Sequence, residues 1–315
     1  MHPHGAVTVA VFAPSAYVTV TIERDTDGGD EIHFHAGGQG VWVARTVAQL
    51  GEPVSLHSPV GGESGSAFEA LIRRDRVMFA PVRVTGSNPA YVQDRRMHQR
   101  QPVAESSSAP LSRHELDNLY QSTLAGALAA GLLVVTGRHR PAAVPDAFYR
   151  RLGADLAQLQ VRVVGDFHGA ELCAFLERGR IDLLKVSDED LQQDGICVDN
   201  EELCFAAMDT FRQRNARDVV LSRGTRATLA LIGNARLRVD TPEVASPDHR
   251  GSGDAMTGAL AVGLVRELET DQLLALGCGA GAASATRHGL ASADVQLIAE
   301  FAALSRVFAA DRPVP

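Results

Sequence analysis

Gly251-Ser252-Gly253-Asp254 is the stretch whose residue types and spacing point most directly to chemistry. It follows Asp248-His249-Arg250 and runs into an apolar segment, 255 to 268, that reads as a helix. A helix begins with backbone N–H groups that lack intrahelical partners, and Gly251 and Gly253 carry no Cβ to keep an anion away from them. The helix dipole adds roughly 0.3–1 kcal/mol of preference for negative charge at an exposed site. A phosphate bound there would lie beside Asp254, which in a cationic pocket stays ionised at neutral pH and can take a proton from a nearby hydroxyl. An anion hole next to a carboxylate base is the equipment of phosphoryl transfer. The same tetrapeptide also makes an ordinary turn with Asp254 as a helix cap, so the surrounding chain has to decide.

The string fits neither G-x-G-x-x-G nor G-x-x-x-x-G-K-[ST], which removes the dinucleotide fingerprint and the P-loop. It resembles the C-terminal signature of the ribokinase-like, or phosphofructokinase B, carbohydrate kinases, whose turn reads Gly-Ala-Gly-Asp; the alanine is Ser252 here. A second stretch agrees. Gly37-Gly38-Gln39-Gly40, then Val43-Ala44-Arg45, Leu50-Gly51 and Gly61-Gly62-Glu63-Ser64-Gly65 follow the order of the family's N-terminal signature.

The likeness spans nearly the whole chain and implies roles. Asp254 would be the catalytic base, and the N–H groups of Gly251, Ser252 and Gly253 would hold the transferring phosphoryl group. Lys185, Ser187 and Asp190 align with a Lys-Pro-Asn-x-x-Glu segment that helps order nucleotide phosphates and magnesium. Ser222 and Gly224 match the start of a Ser-x-Gly-x-x-Gly turn at the nucleotide phosphates, whose last glycine is Ala227 here. ATP and Mg²⁺ are the implied cofactors, the metal held mainly through ATP phosphates and water, with Asp190 as its protein ligand.

On the acceptor side the chain departs from the 1-phosphofructokinase and tagatose-6-phosphate kinase branch that it most resembles. The first strand of that branch ends in Asn-Pro-x-x-Asp; here it reads Ala13-Pro14-Ser15-Ala16-Tyr17, without the aspartate that would hold sugar hydroxyls. The lysine of Gly-Gly-Lys-Gly is Gln39, an asparagine of the next helix is Trp42, and a phosphate-gripping lid arginine aligns with Asn88. Arginine and lysine are the usual partners of phosphate, so these changes weaken the case for a phosphorylated sugar unless Arg95, Arg96, Arg138 or Arg140 compensates. Gly37, Gly38, Gln39, Trp42 and Arg138 are the candidate acceptor contacts. Trp42, the only tryptophan, either stacks on a ring of the substrate or packs in a core or interface. His139, His168 and His249 lack metal-ligand spacing and read as polar contacts.

The elements that must position these residues follow from periodicity. Apolar runs at 7–12 and 132–136 read as buried strands, with further strands at 53–57, 161–166, 181–185 and 218–222. Helical stretches lie between them at 41–50, 68–74, 145–159, 170–177 and 201–214, and the Ser112/Glu115 capping box opens a long one reaching Ala130. A meander at 227–239 and helices from Asp271 and Asp294 close the chain. This alternation predicts an α/β, ribokinase-like fold: a mostly parallel central sheet flanked by helices on both faces. Polar–apolar alternation near 17–22, 31–35, 82–84, 90–93 and 97–103 predicts a small β-sheet lid, inserted at about 15–36 and 80–104 in a single kinase domain over 1–315. Its exposed edges suggest a homodimer through lid-to-lid pairing.

Composition bounds the partners. With 315 residues and 45% hydrophobic content, the chain can bury a large core. A formal net charge of −8 and the lack of any Lys/Arg run argue against nucleic acid. No apolar run approaches the roughly 20 residues that span a bilayer, and Met1 to Gly5 does not begin a signal peptide, so no membrane partner and a cytoplasmic location are expected. Cys173, Cys197, Cys204 and Cys278 lack C-x-x-C spacing and read as reduced thiols. The expected function is an ATP-dependent carbohydrate kinase acting on a hydroxyl of a sugar or sugar phosphate, with a lid that closes to exclude water. A nucleoside kinase of the same fold, with Trp42 or Tyr17 stacking a base, is one alternative. The other is a non-catalytic or regulatory sugar- or nucleotide-binding protein, which leaves the Gly-Ser-Gly-Asp turn without a reason.

Overall fold

Side chains of the first strand alternate between two cores, and this sets the layering of the molecule. In the computed structural model, which describes residues 8–97, 101–138, 144–242, 244, 250–286 and 292–310, that strand is β1 (Val9–Phe12). Val9 and Val11 point into one apolar core, Ala10 and Phe12 into the other, as a period of two requires of a strand buried on both faces.

The chain then leaves for a hairpin, β2 (Tyr17–Arg24) and β3 (Asp30–Gly37), and returns through α1 (Gln39–Gln49) to β4 (Val54–Val60). After α2 (Gly62–Ile72) and β5 (Met78–Arg83), strands β6 (Ala90–Asp94) and β7 (Gln101–Ser106) rejoin the hairpin. A run of β-α units follows: α3 (Arg113–Ala130), β8 (Leu132–Thr136), α4 (Asp146–Gln158), β9 (Arg162–Asp166), α5 (Gly169–Leu176), β10 (Ile181–Ser187), the short α6 (Asp188–Gln193), α7 (Glu201–Gln213) and β11 (Ala216–Arg223). Strands β12 (Arg226–Ile232) and β13 (Ala235–Asp240), helices α8 (Ser252–Val265), α9 (Thr270–Ala285) and α10 (Val295–Leu304), and β14 (Arg306–Ala309) complete it.

The large sheet runs β14-β13-β12-β11-β10-β9-β8-β1-β4-β5, parallel from β5 to β11 and antiparallel beyond; the small sheet runs β3-β2-β6-β7. One core holds residues of α1, α8, α9 and α10, the other residues of α3, α4, α5 and α7, so helices cover both faces as expected. Helix α8 is buried at every position from Ala255 to Gly263 because it lies between α1 and α9. That packing fixes the direction in which its first turn points. The Ser112/Glu115 capping box starts α3 as expected.

Some elements differ from expectation. Helix α2 begins at Gly62, ahead of the helical stretch expected at 68–74, its first turns being too polar to show an apolar period. Val82, expected in the small sheet, belongs to β5, which pairs with β4 in the large one, since short alternation does not say which sheet a strand joins. The four-residue β14, placed beside β13, is too short to announce itself.

His57 supplies a stability prediction. It is buried on β4, with the Ser55 hydroxyl at Nε2 (3.0 Å) and the Ser122 hydroxyl at Nδ1 (2.9 Å), and burial lowers its pKa from 6.5 to about 4. A depressed histidine contributes stability that is present above its unfolded pKa and lost as the pH falls from about 6.5 towards 4. Relative to His57→Gln, the wild type is expected to lose roughly 2–3 kcal/mol between pH 7 and pH 4.5 in denaturant unfolding. Parallel pH slopes for the two proteins would contradict this.

Candidate functional site

A cleft of about 290 Å³ opens at the carboxyl ends of β1, β8, β9 and β10, where open α/β sheets present ligand sites. Asp254, in the first turn of α8, lies on its wall. Gly251, the residue before that helix, is left-handed at φ 78°, and no side chain caps the helix. The Ser252 hydroxyl is buried and has no hydrogen-bond partner among the described residues. At Gly253 a Cβ would stand 2.6 Å from Lys185 Nζ, so the ammonium lies against this turn where a side chain would push it aside. An uncapped helix start, an orphaned hydroxyl and a neighbouring cation together fit an anion such as a nucleotide phosphate.

Beneath this turn lies a carboxylate that the sequence reading missed. Asp166, at the end of β9, is 2% exposed; its Oδ1 lies 3.3 Å from Lys185 Nζ, and its Oδ2 accepts from the Thr257 hydroxyl at 2.6 Å. Burial raises the Asp166 pKa. Burial works against the Lys185 ammonium, but Asp166, Asp190 and Asp254 outweigh it and raise its pKa. Burial, followed by the charges of Asp166 and Asp190, pushes the Asp254 carboxyl up to about 8 against the pull of Lys185. The expectation of a cationic pocket that keeps Asp254 ionised at neutral pH is therefore corrected: the pocket is rich in carboxylates and favours the protonated form of the free enzyme.

Ser187 and Asp190 form the capping box of α6, Asp190 N–H donating to Ser187 Oγ at 3.1 Å and Ser187 N–H to Asp190 Oδ2 at 2.9 Å. The Ser187 hydroxyl is thus a helix cap, while Asp190 also lines the cleft, its Oδ1 3.7 Å from His168 Nε2. His168 Nδ1 is 3.0 Å from Asp194. Among the described residues no three His, Cys, Asp or Glu side chains gather as a metal-binding group; Asp190 is one carboxylate that can share a hard cation with ligand oxygens and water. Ser222 stands beside Ser187 in β11, its hydroxyl donating to the Val186 carbonyl at 3.4 Å. Gly224 makes the left-handed β11–β12 turn, and neither it nor Ser222 lines the cleft.

The opposite wall comes from β2 and α1. Gly38, at φ 128°, precedes α1, and a Cβ there would collide with the Ser15 carbonyl, so the helix start closes onto the loop after β1. Gly37 lies against the Tyr17 ring. Gln39 reaches across the cleft wall, where its Oε1 accepts from Gly137 N–H at 3.0 Å. Trp42 is half-buried and lines the cleft, edge-on to Tyr17 at 6.1 Å; Tyr17 is in turn edge-on to Tyr91 at 4.8 Å.

Arg138 also lines the cleft, but its guanidinium is committed. Nη1 donates to the Val144 carbonyl at 2.7 Å, Nη2 to Asp146 at 2.6 Å, and Nε lies 3.2 Å from Glu171. Asn88 is buried as a tie between loops, donating to the carbonyls of Ala16 (2.8 Å) and Pro59 (3.0 Å) and accepting from Gly61 N–H (2.8 Å). Arg95 pairs with Glu23 and Arg96 with Asp94 and Asp30 in the small sheet, away from the cleft wall. His139, Arg140 and His249 lie outside the described residues. Asp166, Phe167 and Glu171 of the cleft went unread; the available signal was an aspartate closing a buried strand next to the strand of Lys185.

A parallel sheet with a cleft at its carboxyl edge, and a helix start offering an anion site beside a carboxylate, suits a phosphotransferase with an alcohol acceptor. The chain belongs to the pfkB family of carbohydrate kinases, whose profile matches residues 12–296, and is a phosphotransferase of that class. It is 27% identical to ATP-dependent 6-phosphofructokinase isozyme 2 of Escherichia coli, over 81% of this chain and 83% of that protein. It is also 27% identical to the 1-phosphofructokinase of Xanthomonas campestris, over 82% of this chain and 84% of the other. The fold superposes on E. coli phosphofructokinase-2 in complex with fructose-6-phosphate with a TM-score of 0.80 and 22% identity, covering 94% of this chain and 99% of that one. Arabidopsis thaliana ribokinase complexed with ribose and ATP follows at a TM-score of 0.73 and 17% identity, covering 94% and 99%. The ribokinase-like expectation for the fold therefore holds. Kinases of this family use ATP, typically with Mg²⁺. No helix among the described residues is long and apolar enough to cross a membrane.

Proposed function

We propose that this single kinase domain transfers the γ-phosphoryl group of ATP to a hydroxyl of a sugar or sugar phosphate held in the cleft, with Asp254 as general base. The observation that carries the reading is the uncapped start of α8, with the orphaned Ser252 hydroxyl and Lys185 behind Gly253, immediately beside a carboxylate on the cleft wall. The amides of Gly251, Ser252 and Gly253 and the Lys185 ammonium stabilise negative charge on the moving phosphoryl group. Bound with ATP, Mg²⁺ supplies charge neutralisation on the phosphates, with Asp190 as the protein carboxylate beside it. Ser187 acts by holding Asp190 through the capping box, and Ser222 and Gly224 border the nucleotide side.

On the acceptor side, Gly37 and Gly38 set the entry of α1, while Gln39, Trp42 and Arg138 line the space for the alcohol. The Trp42 and Tyr17 rings would also suit a nucleoside, which keeps that acceptor in the test. The deciding experiment is Mg²⁺-ATP-dependent ADP release across ketose phosphates, free sugars and nucleosides. ATP binding with no acceptor-dependent turnover anywhere in the panel would count against the reading.

The small sheet serves as a lid, and Ile32 and Phe34, 57% and 58% exposed on its edge strand, suit pairing with the lid of a second copy. Phe34→Asp is expected to shift the solution mass from dimer to monomer; a wild-type monomer would reject the pairing.

A further inference from the structure

The acceptor space is walled by charges already spoken for and by aromatic rings, and that combination narrows what fits. We infer that the alcohol phosphorylated here is an uncharged sugar rather than a sugar phosphate, an inference that rests on the kinase reading above. Four carboxylates line the cleft: Asp166, Glu171, Asp190 and Asp254. Arg138 on the wall and Lys185 behind it are both paired, and His168, also on the wall, lies against Asp190 and Asp194.

Arg138 is held on three sides at 2.6–3.2 Å by Val144, Asp146 and Glu171. Lys185 is 5% exposed and bound to Asp166 behind the phosphate turn, so its charge serves the nucleotide side. A phosphate ester entering beside ATP would face a wall whose cations already serve its carboxylates, and would have to pull Arg138 from its clamp, leaving Glu171 and Asp146 unpaired.

Positive features match a neutral ring. Trp42, Tyr17 and Phe167 give the cleft apolar surface against which a sugar's C–H faces can lie. Gln39 and Ser15 are neutral polar groups at the wall, suited to hydroxyls and not to a dianion. This sorts the acceptor by charge, a distinction between two substrates that share the same reacting hydroxyl.

Trp42 is the only tryptophan, so its emission reports acceptor binding without catalysis. The experiment titrates Trp42 emission with free hexoses and pentoses, and with the phosphate ester of each, in the presence of Mg²⁺ and an imido analogue of ATP. ADP release is measured on the same panel with ATP. Free sugars are expected to shift the emission saturably and to turn over with kcat/KM at least about tenfold above their esters, as like-charge exclusion requires. Esters that bind and turn over as well as, or better than, the free sugars overturn the inference while leaving the kinase reading intact. Neither binding nor turnover with any member overturns both. Glu171→Gln, which keeps the side-chain shape and removes one carboxylate from the Arg138 clamp, is expected to narrow the preference for free sugars severalfold. An unchanged ratio would count against the charge argument.

Discussion

Asp254→Asn is expected to lower kcat by roughly 10²–10⁴-fold while the protein stays folded with an unchanged or higher Tm. The two results point in opposite directions for a physical reason. An amide cannot accept the acceptor's proton, so the chemical step would lose the base proposed for it. The carboxylate is also a cost to the free enzyme, because burial and the charges of Asp166 and Asp190 push its pKa up to about 8. An amide of the same shape keeps the uncharged state that the carboxyl already favours below about pH 8 without the cost of holding a proton there, so KM for ATP should stay level. A general base acts only when ionised, so wild-type kcat/KM should climb with pH towards about 8, a limb the variant should lack. Steady-state ADP release from pH 6 to 9, with thermal unfolding of both proteins, reads all of this. A variant keeping more than about a tenth of wild-type kcat would remove Asp254 from the role.

What the sequence disclosed and what it hid divide along a physical line. The Gly251-Ser252-Gly253-Asp254 turn was legible because glycines before an apolar run mark a helix start whose donors are free, and that is local chemistry. The capping box of α3 was legible for the same reason. Apolar runs revealed the central strands because burial on both faces leaves no polar alternation. Asp166 and Glu171 were not legible, since each matters through a partner distant in sequence: Lys185 and Thr257 for the first, Arg138 for the second. Asn88 and Arg138 show what residue type alone leaves out. Asn88, standing where the resemblance puts a phosphate-gripping arginine, ties three backbone segments together, and Arg138, a candidate acceptor contact on the cleft wall, has its guanidinium closed in by two carboxylates and a carbonyl. Ser187, read as a residue of the nucleotide side, caps the helix that presents Asp190, a partner three residues on that the alignment did not reveal. Side chains that bond to their own neighbourhood and side chains that wait for a ligand have the same composition. Only the fold tells them apart.

Lys185→Met should separate the stability of the site from its chemistry. Lys185 and Asp166 are 5% and 2% exposed, 3.3 Å apart, at the centre of the sheet's carboxyl edge. Removing one member of a buried pair strands the other, at a typical cost of about 3–5 kcal/mol, whereas a surface pair would cost under about 1. Without Lys185, Asp166 loses the charge that opposes its desolvation and its pKa rises further, so it can escape part of the cost by protonation. The sign follows: a carboxyl whose folded pKa is raised contributes stability below its unfolded pKa and loses it as the pH climbs through the folded value. The variant's deficit in denaturant unfolding should therefore widen from pH 5 to pH 8. Adding Asp166→Leu removes the stranded charge, and the Thr257 hydroxyl keeps its bond to the Gly253 carbonyl at 3.0 Å, so the double variant should recover at least half of the loss. Neither protein should regain turnover, because the ammonium behind Gly253 is gone. A single variant as stable as wild type, with a pH-independent difference, would mean that Lys185 and Asp166 are solvated and that the buried pair does not hold the floor of the site.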